Sequence, residues 1–289
     1  MKVWLVGAGY WGSKVKAELD TISSVSQVEV LDIKQGKTID DIDTLDPVIL
    51  ATPLWQHAEQ TLELLSRGHD VYVEKPMGEN AQDIERISSV VDKQVLMVGH
   101  IFLYNPLLIK LKELITRGVL GEIQHVESRR LNWGIRQTQT TPLLSLAPHD
   151  VSIIHYLIGE QEVAYASSVN LSNNVVPDMM EFGGARFNCK VSWWWPKRER
   201  IVTVIGDHAQ AVWDEDLKTI TVHQGRMDGK YPVKEVVTDT IEYEGASPLH
   251  NELAHFIECC EKRLQPRTDV DNALTVAKML DQVANLLSK

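Results

Sequence analysis

The chain has 289 residues, of which 44% are hydrophobic and 24% are charged, and its formal net charge at pH 7 is −11. This composition excludes a wholly disordered chain, and the acidic excess disfavours nucleic acid and anionic membranes as partners because it repels phosphate groups. At about 100–200 residues per domain, the length predicts two domains.

The first 120 residues alternate two patterns. Short apolar runs predict buried strands, and the segments between several of them have apolar residues at helical spacing. The runs are Val3–Val6, Val28–Leu31, Val48–Ala51, Val71–Val73 and Val95–Val98, and the helical segments include Ala58–Ser66 and Ala81–Val91. This alternation predicts an α/β domain over residues 1–120, a Rossmann-type, doubly wound parallel sheet.

Residues 121–289 are expected to form a second, α+β domain whose strands pair as an antiparallel or mixed sheet. Strands are predicted at Ala164–Val169, Gly184–Trp195, Ile201–Ile205, Ala209–Trp213 and Thr219–His223. Helices are predicted at Pro106–Thr116, Pro148–Ile158, Leu249–Arg263 and Val270–Leu287, and the last can pack back on the first domain. No low-complexity linker separates the halves, so we expect a cleft between the domains to hold the site.

Cysteine usage bears on the cellular compartment. Cys189 stands alone, while Cys259 and Cys260 are adjacent, which is neither a disulfide framework nor a zinc pattern. The apolar start ends in glycines and is typical of a buried strand rather than of a signal peptide. These features favour a cytoplasmic location. The histidines lack metal-ligand spacing, so no metal is predicted.

A glycine-rich motif, Gly7-Ala8-Gly9-Tyr10-Trp11-Gly12, follows the first predicted strand directly. Strand, glycines and helix in this order predict a dinucleotide-binding turn, with the pyrophosphate at the helix N-terminus. Asp32 ends the second strand and can accept hydrogen bonds from the ribose hydroxyls, which favours NAD over NADP, although Lys34 can partly offset the repulsion of a 2′-phosphate. The alternatives are a glycine turn without a ligand and an acidic residue in a surface turn.

Two further motifs follow apolar runs: Ala51-Thr52-Pro53 with His57, and Val73-Glu74-Lys75-Pro76. Both are expected at the carboxyl edge of the sheet, where open α/β sheets bind ligands. There Lys75 could donate a hydrogen bond to a substrate oxygen, and burial would lower its pKa toward the range useful for proton transfer. Taken alone, a solvated surface lysine is the alternative.

Six motifs stand in register along the chain. They are the glycine-rich start, Ala51-Thr52-Pro53 with His57, Glu74-Lys75-Pro76, Gly99-His100 with Tyr104-Asn105-Pro106, Gly121-Glu122-Ile123 and Pro148-His149-Asp150. Together they resemble the Gfo/Idh/MocA oxidoreductase family, the relatives of glucose–fructose oxidoreductase and inositol dehydrogenase, over essentially the whole chain. The resemblance implies a Rossmann domain, an α+β domain with a large open, mostly antiparallel sheet, and NAD(P)-dependent hydride transfer at a sugar or cyclitol carbon.

The resemblance also implies catalytic roles. The family's lysine beside substrate and nicotinamide corresponds to Lys75, and its bond to the next proline, here Pro76, is commonly cis. The family places an aspartate four residues before a histidine; His149 matches, but Ser145 stands in place of the aspartate. Because serine carries no charge, His149 is left as the expected acid or base. Without the resemblance, His149 could equally be a capping or core histidine, and Asp150 is expected to be a helix-start residue favoured by the dipole.

Two stretches are candidates for substrate recognition: Arg129–Arg136, after a strand, and Ser192–Arg200, between two strands. The variant Asn132-Trp133-Gly134-Ile135-Arg136, together with Ser145-Leu146-Ala147-Pro148-His149-Asp150, resembles relatives found with nucleotide-sugar pathways, which suggests a nucleotide-linked hexose. Arg136 or Arg200 could bind a diphosphate, and an exposed tryptophan could stack on a sugar or base. A tryptophan core or subunit interface, with the arginines on a solvated face, is the alternative.

The sequence as a whole therefore predicts an NAD-dependent sugar oxidoreductase, with NADP less favoured. The catalytic candidates are Lys75 and His149; the cofactor candidates are Gly7, Gly9, Tyr10, Trp11, Gly12, Asp32, Thr52, Pro53, His57, Glu74 and Lys75; the substrate candidates are Tyr104, Asn105, Asn132, Arg136 and Ser145. A homodimer or homotetramer through the second-domain sheet is expected, with no nucleic-acid or membrane partner. Two rivals remain, an NAD-recycling lyase or glycosidase and an inactive NAD-binding regulatory protein.

Overall fold

A computed structural model describes residues 1–134, 140–171, 176–228, 231–233 and 238–288. The chain divides into two compact units. The first unit comprises Met1–Tyr104 and Ala246–Lys278, and the second comprises Asn105–Gly245 and Met279–Lys289. Over the described ranges, no helix is both long and apolar enough to cross a membrane.

The first unit holds a five-stranded sheet in which every neighbouring pair is parallel, with strand order β2-β1-β3-β4-β5. Its elements are β1 (Lys2–Val6), α1 (Tyr10–Leu19), β2 (Gln27–Leu31), β3 (Val48–Leu50), α2 (Leu54–Ser66), β4 (Val71–Glu74), α3 (Ala81–Ser88) and β5 (Leu96–Gly99). The predicted parallel sheet is confirmed, and β3, β4 and β5 are buried along their whole length, as near-continuous apolar strands require.

The boundaries of two helices in this unit differ from the prediction. Helix α2 begins at Leu54 rather than Ala58, because Pro53 has the extended backbone of a helix N-cap and leads directly into the first turn. Helix α3 ends at Ser88, before the predicted end at Val91.

Strand β1 lies between β2 and β3, so the chain passes from β1 to β2 in one direction across the sheet and from β3 to β4 in the opposite direction. Such a switch point opens a crevice beyond the carboxyl ends of the two strands concerned. The residues that follow β1 and β3 are the glycine-rich turn and Thr52-Pro53. The strand order therefore places both predicted cofactor motifs at the crevice.

The second unit contains an eight-stranded sheet with the order β15-β12-β11-β10-β6-β9-β8-β7, antiparallel except for the parallel pair β6–β9. Its elements are α4 (Pro106–Thr116), β6 (Ile123–Trp133), α5 (Pro142–Ser145), α6 (Ala147–Ile158), β7 (Tyr165–Val169), β8 (Met179–Gly183), β9 (Phe187–Ser192), β10 (Trp194–Gly206), β11 (Ala209–Asp214), β12 (Thr219–Gln224), β13 (Arg226–Asp228), β14 (Tyr231–Val233) and β15 (Thr238–Glu242). Strands β13 and β14 form a separate pair. The predicted large, mostly antiparallel sheet is confirmed.

The single strand predicted at Gly184–Trp195 is wrong, because the chain breaks at Trp193 into β9 and β10. The Trp193 N–H donates to the Asp178 carbonyl at 3.0 Å, and the Trp194 N–H donates to Ser192 Oγ at 2.9 Å. The strand predicted at Ile201–Ile205 is the second half of β10. Residues Arg129–Trp133, predicted to follow a strand, lie inside β6.

Two helices close the chain, α7 (Pro248–Lys262) and α8 (Val270–Leu287). Both α7 and the first half of α8 belong to the first unit. Ala273 and Ala277 of α8 join the apolar cluster that contains Val6 and Leu50. The first half of the last helix therefore packs in the unit of the parallel sheet.

Candidate functional site

The glycine-rich turn connects β1 to α1 under tight steric limits. Gly7 has φ +95°, and a Cβ there would lie 2.6 Å from the Ala51 carbonyl oxygen. A Cβ on Gly12 would lie 2.0 Å from the Gly7 carbonyl oxygen, whereas one on Gly9 would meet nothing within 4 Å. Gly9 is the N-cap of α1 and provides no side-chain cap. The turn thus leaves open space in front of helix N–H groups, which suits a pyrophosphate.

Asp32 is the residue that follows β2, and its carboxylate is held by backbone groups on both oxygens. Oδ2 accepts from the Ala8 N–H and Oδ1 accepts from the Lys34 N–H, both at 2.8 Å. These bonds lower the pKa of Asp32, the Lys34 bond most, so the group is charged at neutral pH. The carboxylate is thereby fixed beside the glycine turn.

Three large apolar side chains are exposed at this edge of the sheet. Tyr10 is 81% exposed, Ile33 76% and Trp55 56%, and they follow β1, β2 and β3 respectively. Ile33 and Trp55 are not among the residues predicted for the site. The signal available was a large apolar residue two to five positions after a strand end, where the sheet does not require burial.

Thr52, Pro53 and His57 lie together at the start of α2. Thr52 Oγ1 donates to Gln60 Oε1 at 2.8 Å, which fixes its side chain within the first turns of the helix. The His57 ring is buried, with one nitrogen 2.8 Å from the Thr52 carbonyl and the other 2.8 Å from the Pro76 carbonyl. Burial lowers the pKa of His57.

Glu74 is the last residue of β4 and Lys75 follows it, and the Lys75–Pro76 peptide bond is cis, as the family resemblance implied. Buried Glu74 accepts hydrogen bonds from Trp11 Nε1 and, at 3.1 Å, from the Tyr72 hydroxyl. Burial raises the pKa of Glu74, while the Trp11 bond and the Lys75 charge act in the opposite direction. Trp11 and Glu74 therefore join the glycine-turn helix to the end of β4.

Glu252 on α7 is a second fully buried carboxyl group in this unit and was not selected from the sequence. Burial, and then the charge of Glu74, raise its pKa well above the usual range. Tyr72 interacts with both carboxyl groups. Burial, followed by the charges of Glu252 and Glu74, raises the pKa of its hydroxyl. No local pattern marks Glu252, because its partners Tyr72 and Glu74 lie in a distant part of the chain.

The two predicted substrate contacts Tyr104 and Asn105 make internal bonds. Tyr104 is 2% exposed, and its hydroxyl lies 3.2 Å from Thr268 Oγ1. The Asn105 side chain accepts from the Leu107 N–H at 2.9 Å and caps α4. A direct role of these side chains in substrate binding stays a prediction.

His149 and Ser145 lie on successive helices of the second unit. His149 is half-buried in the first turn of α6, and Ser145 is the last residue of α5. The His149 carbonyl accepts from Ser152 Oγ at 2.8 Å, which orders this turn. The histidine is therefore half-buried near a helix N-terminus, and the residue four positions earlier carries no charge.

Asp150 lies in the first turn of α6, as predicted, but it also forms a buried ion pair that the sequence analysis missed. It is 1% exposed, and its carboxylate accepts from Arg130 Nε at 2.7 Å and from Ser128 Oγ at 2.6 Å. Arg130 also approaches Glu215, at 3.6 Å. These contacts fasten the helix that carries His149 to β6.

The predicted substrate residue Asn132 and the neighbouring Trp133 lie at the end of β6. Asn132 is half-buried, and a Cβ on Gly134 would lie 2.1 Å from its amide nitrogen. Trp133 is 66% exposed and stacks on Trp194 with ring centroids 5.0 Å apart, while the neighbouring Trp193 is buried. Arg136 lies outside the described residues.

The structure thus gathers the predicted cofactor residues of the first unit at one edge of the parallel sheet. Hydrogen bonds connect the turn to Asp32 and Trp11 to Glu74, and the His57 ring lies between the Thr52 and Pro76 carbonyls. In the part of the chain with described side chains, no cluster of three or more acidic, histidine or cysteine residues could hold a metal. A dinucleotide site combines backbone N–H donors, one carboxylate and open space at a strand switch point, and this edge of the sheet has all three.

Comparison with family models agrees with this geometry. A model of the oxidoreductase family's NAD-binding Rossmann fold matches residues 1–102, and a model of its C-terminal alpha/beta domain matches residues 112–285. The chain belongs to the Gfo/Idh/MocA oxidoreductase family. The family recognised from the six motifs is therefore confirmed, and so are the oxidoreductase class and the NAD(P)-binding Rossmann domain.

Individual relatives match over part of their length. The 2,7-anhydro-N-acetylneuraminate hydratase of Mediterraneibacter gnavus is 29% identical over 150 residues, 46% of this chain and 40% of the relative. The inositol 2-dehydrogenase of Salmonella typhimurium is 25% identical over 186 residues, 55% of each chain. The matched stretches therefore span about half of these relatives or less.

Solved structures match over nearly the whole chain at low identity. The UDP-N-acetylglucosamine 3-dehydrogenase of Acidithiobacillus ferrooxidans has a TM-score of 0.85 at 17% identity, covering 99% of this chain and 97% of that one. A levoglucosan dehydrogenase in complex with NADH has a TM-score of 0.83 at 17% identity, covering 100% and 97%. A 3-ketoreductase from Actinomadura kijaniata in complex with TDP-benzene and NADP has a TM-score of 0.85 at 15% identity, covering 99% and 98%. At these identities the likeness establishes the fold.

Proposed function

We propose that this family member transfers a hydride between NAD and a secondary alcohol or ketone carbon of a sugar, specifically a nucleotide-linked hexose. The observation that carries the proposal is the sterically defined glycine turn beside the charged Asp32, at the same sheet edge as Lys75. The dehydrogenase and ketoreductase structures that share the fold support it, since one is named a UDP-N-acetylglucosamine 3-dehydrogenase and another, a 3-ketoreductase, is in complex with TDP-benzene.

The residues of the first unit fit the cofactor. The turn and the N-terminus of α1 would hold the pyrophosphate, and Asp32 would accept the ribose hydroxyls, because each of its oxygens keeps a lone pair beyond its backbone bond. A 2′-phosphate would meet the Asp32 charge, and we therefore propose NAD rather than NADP. When bound, the nicotinamide supplies the hydride acceptor or donor.

Lys75 and His149 would perform the proton chemistry on the substrate. We propose that the Lys75 ammonium donates a hydrogen bond to the substrate oxygen and stabilises the negative charge that develops there during oxidation. The neutral His149 imidazole would accept the hydroxyl proton in oxidation, and its protonated form would return a proton in reduction. Ser145 can accept or donate a hydrogen bond but cannot supply the charge of a carboxylate.

The stacked Trp133–Trp194 pair supports a ligand with a flat or apolar face, such as a sugar ring or a base.

We also propose that copies of the chain associate through the open face of the eight-stranded sheet as a dimer or tetramer. On β10, Ile201 and Thr203 are half-buried on that face and alternate with the buried Val202 and Val204.

The hydratase relative favours a second candidate, a reaction in which NAD is reduced and reoxidised within one turnover. The two candidates share the cofactor site and differ in their products. The first accumulates NADH when an alcohol substrate is supplied with NAD, and the second converts its substrate without net reduction.

The deciding experiment compares the parent protein with Lys75→Met on a panel of UDP-linked and TDP-linked hexoses, free hexoses and inositol. We expect NADH formation with a nucleotide-linked hexose. Lys75→Met should fold and bind NADH as the parent does, and its kcat should fall about 10²–10⁴-fold, the usual range for an oriented proton-transfer group.

Other outcomes separate the alternatives. Turnover of free hexoses or inositol at equal kcat/KM would remove the nucleotide-sugar assignment. Product formation without NADH would establish the recycling reaction instead. Exposed Lys93, which precedes β5 at the amino edge of the sheet, offers a matched control for the loss of a lysine: Lys93→Met should leave kcat unchanged.

A further inference from the structure

A single buried imidazole joins two of the loops at the proposed cofactor site. His57 is 2% exposed, and its Nε2 lies 2.8 Å from the Thr52 carbonyl oxygen while its Nδ1 lies 2.8 Å from the Pro76 carbonyl oxygen. Thr52 follows β3 and Pro76 follows β4, and these strands are parallel neighbours. The ring therefore bridges the carboxyl ends of two adjacent strands.

The chemistry of the two acceptors restricts the protonation of the ring. A carbonyl oxygen can only accept a hydrogen bond, and a neutral imidazole carries one N–H. The neutral ring therefore satisfies one carbonyl and turns a nitrogen lone pair toward the other at 2.8 Å. Only the imidazolium donates to both.

We propose that His57 is a positioning residue that ties the Thr52 and Pro76 loops together, and that uptake of a second proton by its ring completes both hydrogen bonds and tightens dinucleotide binding. The proton comes from solvent, and no covalent bond between heavy atoms changes. This inference rests on the proposed placement of the cofactor at these loops.

The charges around the ring set the direction of the pH response. Burial lowers the pKa of His57, the two carbonyls raise it, and the nearby Lys75 charge lowers it further. Strand β3 carries no charged residue, and the charges between α2 and α3 pair with one another, Arg86 with Glu59 at 2.8 Å and with Asp83 at 3.6 Å.

The second proton is therefore gained below the usual histidine pKa. A bound dinucleotide brings negative phosphates that favour the charged ring, and by reciprocity protonation of the ring favours the dinucleotide. Affinity for NADH should then increase as the pH falls.

The chain supplies a matched control in His69. It is equally buried, at 2% exposed, and lies in the same unit, but its Nδ1 approaches one carbonyl, that of Asp46, at 3.1 Å. His69 precedes β4, at the amino end of the strand rather than at the cofactor edge. Its loss tests the effect of removing a buried histidine without touching the bridge.

The test combines two measurements on the whole protein between about pH 5 and 8, the range in which histidine titrates. Nitrogen-15 NMR reports whether one or both ring nitrogens of His57 carry hydrogen, with and without NADH. Titration gives the Kd of NADH for the parent, His57→Gln and His69→Gln. We expect the parent to bind NADH about tenfold more tightly at the acid end, equivalent to about 1.4 kcal/mol.

The variants should separate positioning from simple stabilisation. His57→Gln should bind NADH more weakly and with a flat pH dependence, whereas His69→Gln should lower the melting temperature yet keep the parent's Kd and pH dependence. A His57 ring that stays singly protonated across the range, or a His57→Gln variant with the parent's pH dependence, overturns the inference.

Failure of the proposed function has a different signature. A parent that binds neither NADH nor NADPH at any pH contradicts the cofactor assignment, while the NMR measurement on the free protein still reports on the bridge. If His57→Gln does not fold, the same NMR measurement on the parent with and without NADH decides the inference.

Discussion

Two backbone N–H groups hold the carboxylate of Asp32 in one orientation. The Ala8 and Lys34 N–H groups each lie 2.8 Å from one of its oxygens and lower its pKa. The group is therefore already ionised and oriented before a cofactor binds. A 2′-phosphate placed there would bring two negative groups together, and the Lys34 side chain offers a partial offset.

Two substitutions at Asp32 separate charge from hydrogen bonding. We expect the parent to prefer NADH over NADPH by about tenfold or more, a difference of about 1.4 kcal/mol or more. Asp32→Asn keeps an acceptor and should narrow the preference by removing repulsion, and Asp32→Ala should narrow it further by weakening NADH binding as well. Fluorescence titration with both cofactors measures these effects. Equal or tighter binding of NADPH by the parent contradicts the prediction.

The β1–turn–α1 element can be tested with two glycines that differ in their surroundings. A Cβ on Gly12 would lie 2.0 Å from a backbone oxygen, whereas a Cβ on Gly9 has nothing within 4 Å, and Gly9 has an ordinary φ of −67°. Gly12→Ala should destabilise the unit by about 1–3 kcal/mol, the usual cost of overpacking. Gly9→Ala should fold with nearly unchanged stability but bind NADH more weakly, because the methyl group would occupy the space left for the pyrophosphate.

Denaturant unfolding and NADH titration of both variants check this contrast. If Gly9→Ala binds NADH as tightly as the parent, the open space above Gly9 is not where the dinucleotide lies. If Gly12→Ala is as stable as the parent, the backbone of the turn can shift to make room for a Cβ beside the Gly7 carbonyl oxygen, and the predicted steric cost is wrong.

Elements with a strong local signal could be predicted from the sequence. The bounds predicted for α4 and α8 agree with the structure, since Asn105 and Pro106 mark the start of α4 and helical spacing runs through the whole of α8. The strand break at Trp193 could not be predicted, because the run Val191–Trp195 contains no glycine or proline to mark it. Its cause is the bond from the Trp193 N–H to the Asp178 carbonyl, which belongs to a distant turn.

At the scale of the whole molecule, the sequence does not predict which residues far apart in the chain come into contact. The glycine turn, Asp32 and Lys75 are each marked by a strand end, so their common edge follows from the parallel sheet. The Arg130–Asp150 ion pair and the burial of Glu252 with Glu74 have no local signature. Tertiary packing alone brings these groups together, so the contacts can be identified only in the folded structure.

The buried carboxyl group of Glu252 gives the folded chain a pH-dependent stability. Its pKa is raised well above the value of about 4.3 expected in the unfolded chain. Between these two values the native state holds a proton that the unfolded state has lost, so the free energy of unfolding decreases as the pH rises. Below the unfolded pKa both states are protonated, and this contribution no longer changes.

Replacing Glu252 with glutamine should remove this dependence, because the amide has the shape of the protonated acid and does not titrate. We expect Glu252→Gln to be more stable than the parent at neutral pH, and to show a shallower fall of stability toward alkaline pH. The gain should be about 1.4 kcal/mol for each pH unit between the unfolded pKa and either the folded pKa or the measurement pH, whichever is lower. Glu258, exposed on the same helix and paired with Lys262 at 2.7 Å, is the matched control: Glu258→Gln should leave the slope unchanged. Urea unfolding at several pH values between about 5 and 8 measures the slopes. A Glu252→Gln variant that is less stable than the parent throughout, or that keeps the parent's slope, would show that Glu252 is ionised in the fold and stabilises it through its charge.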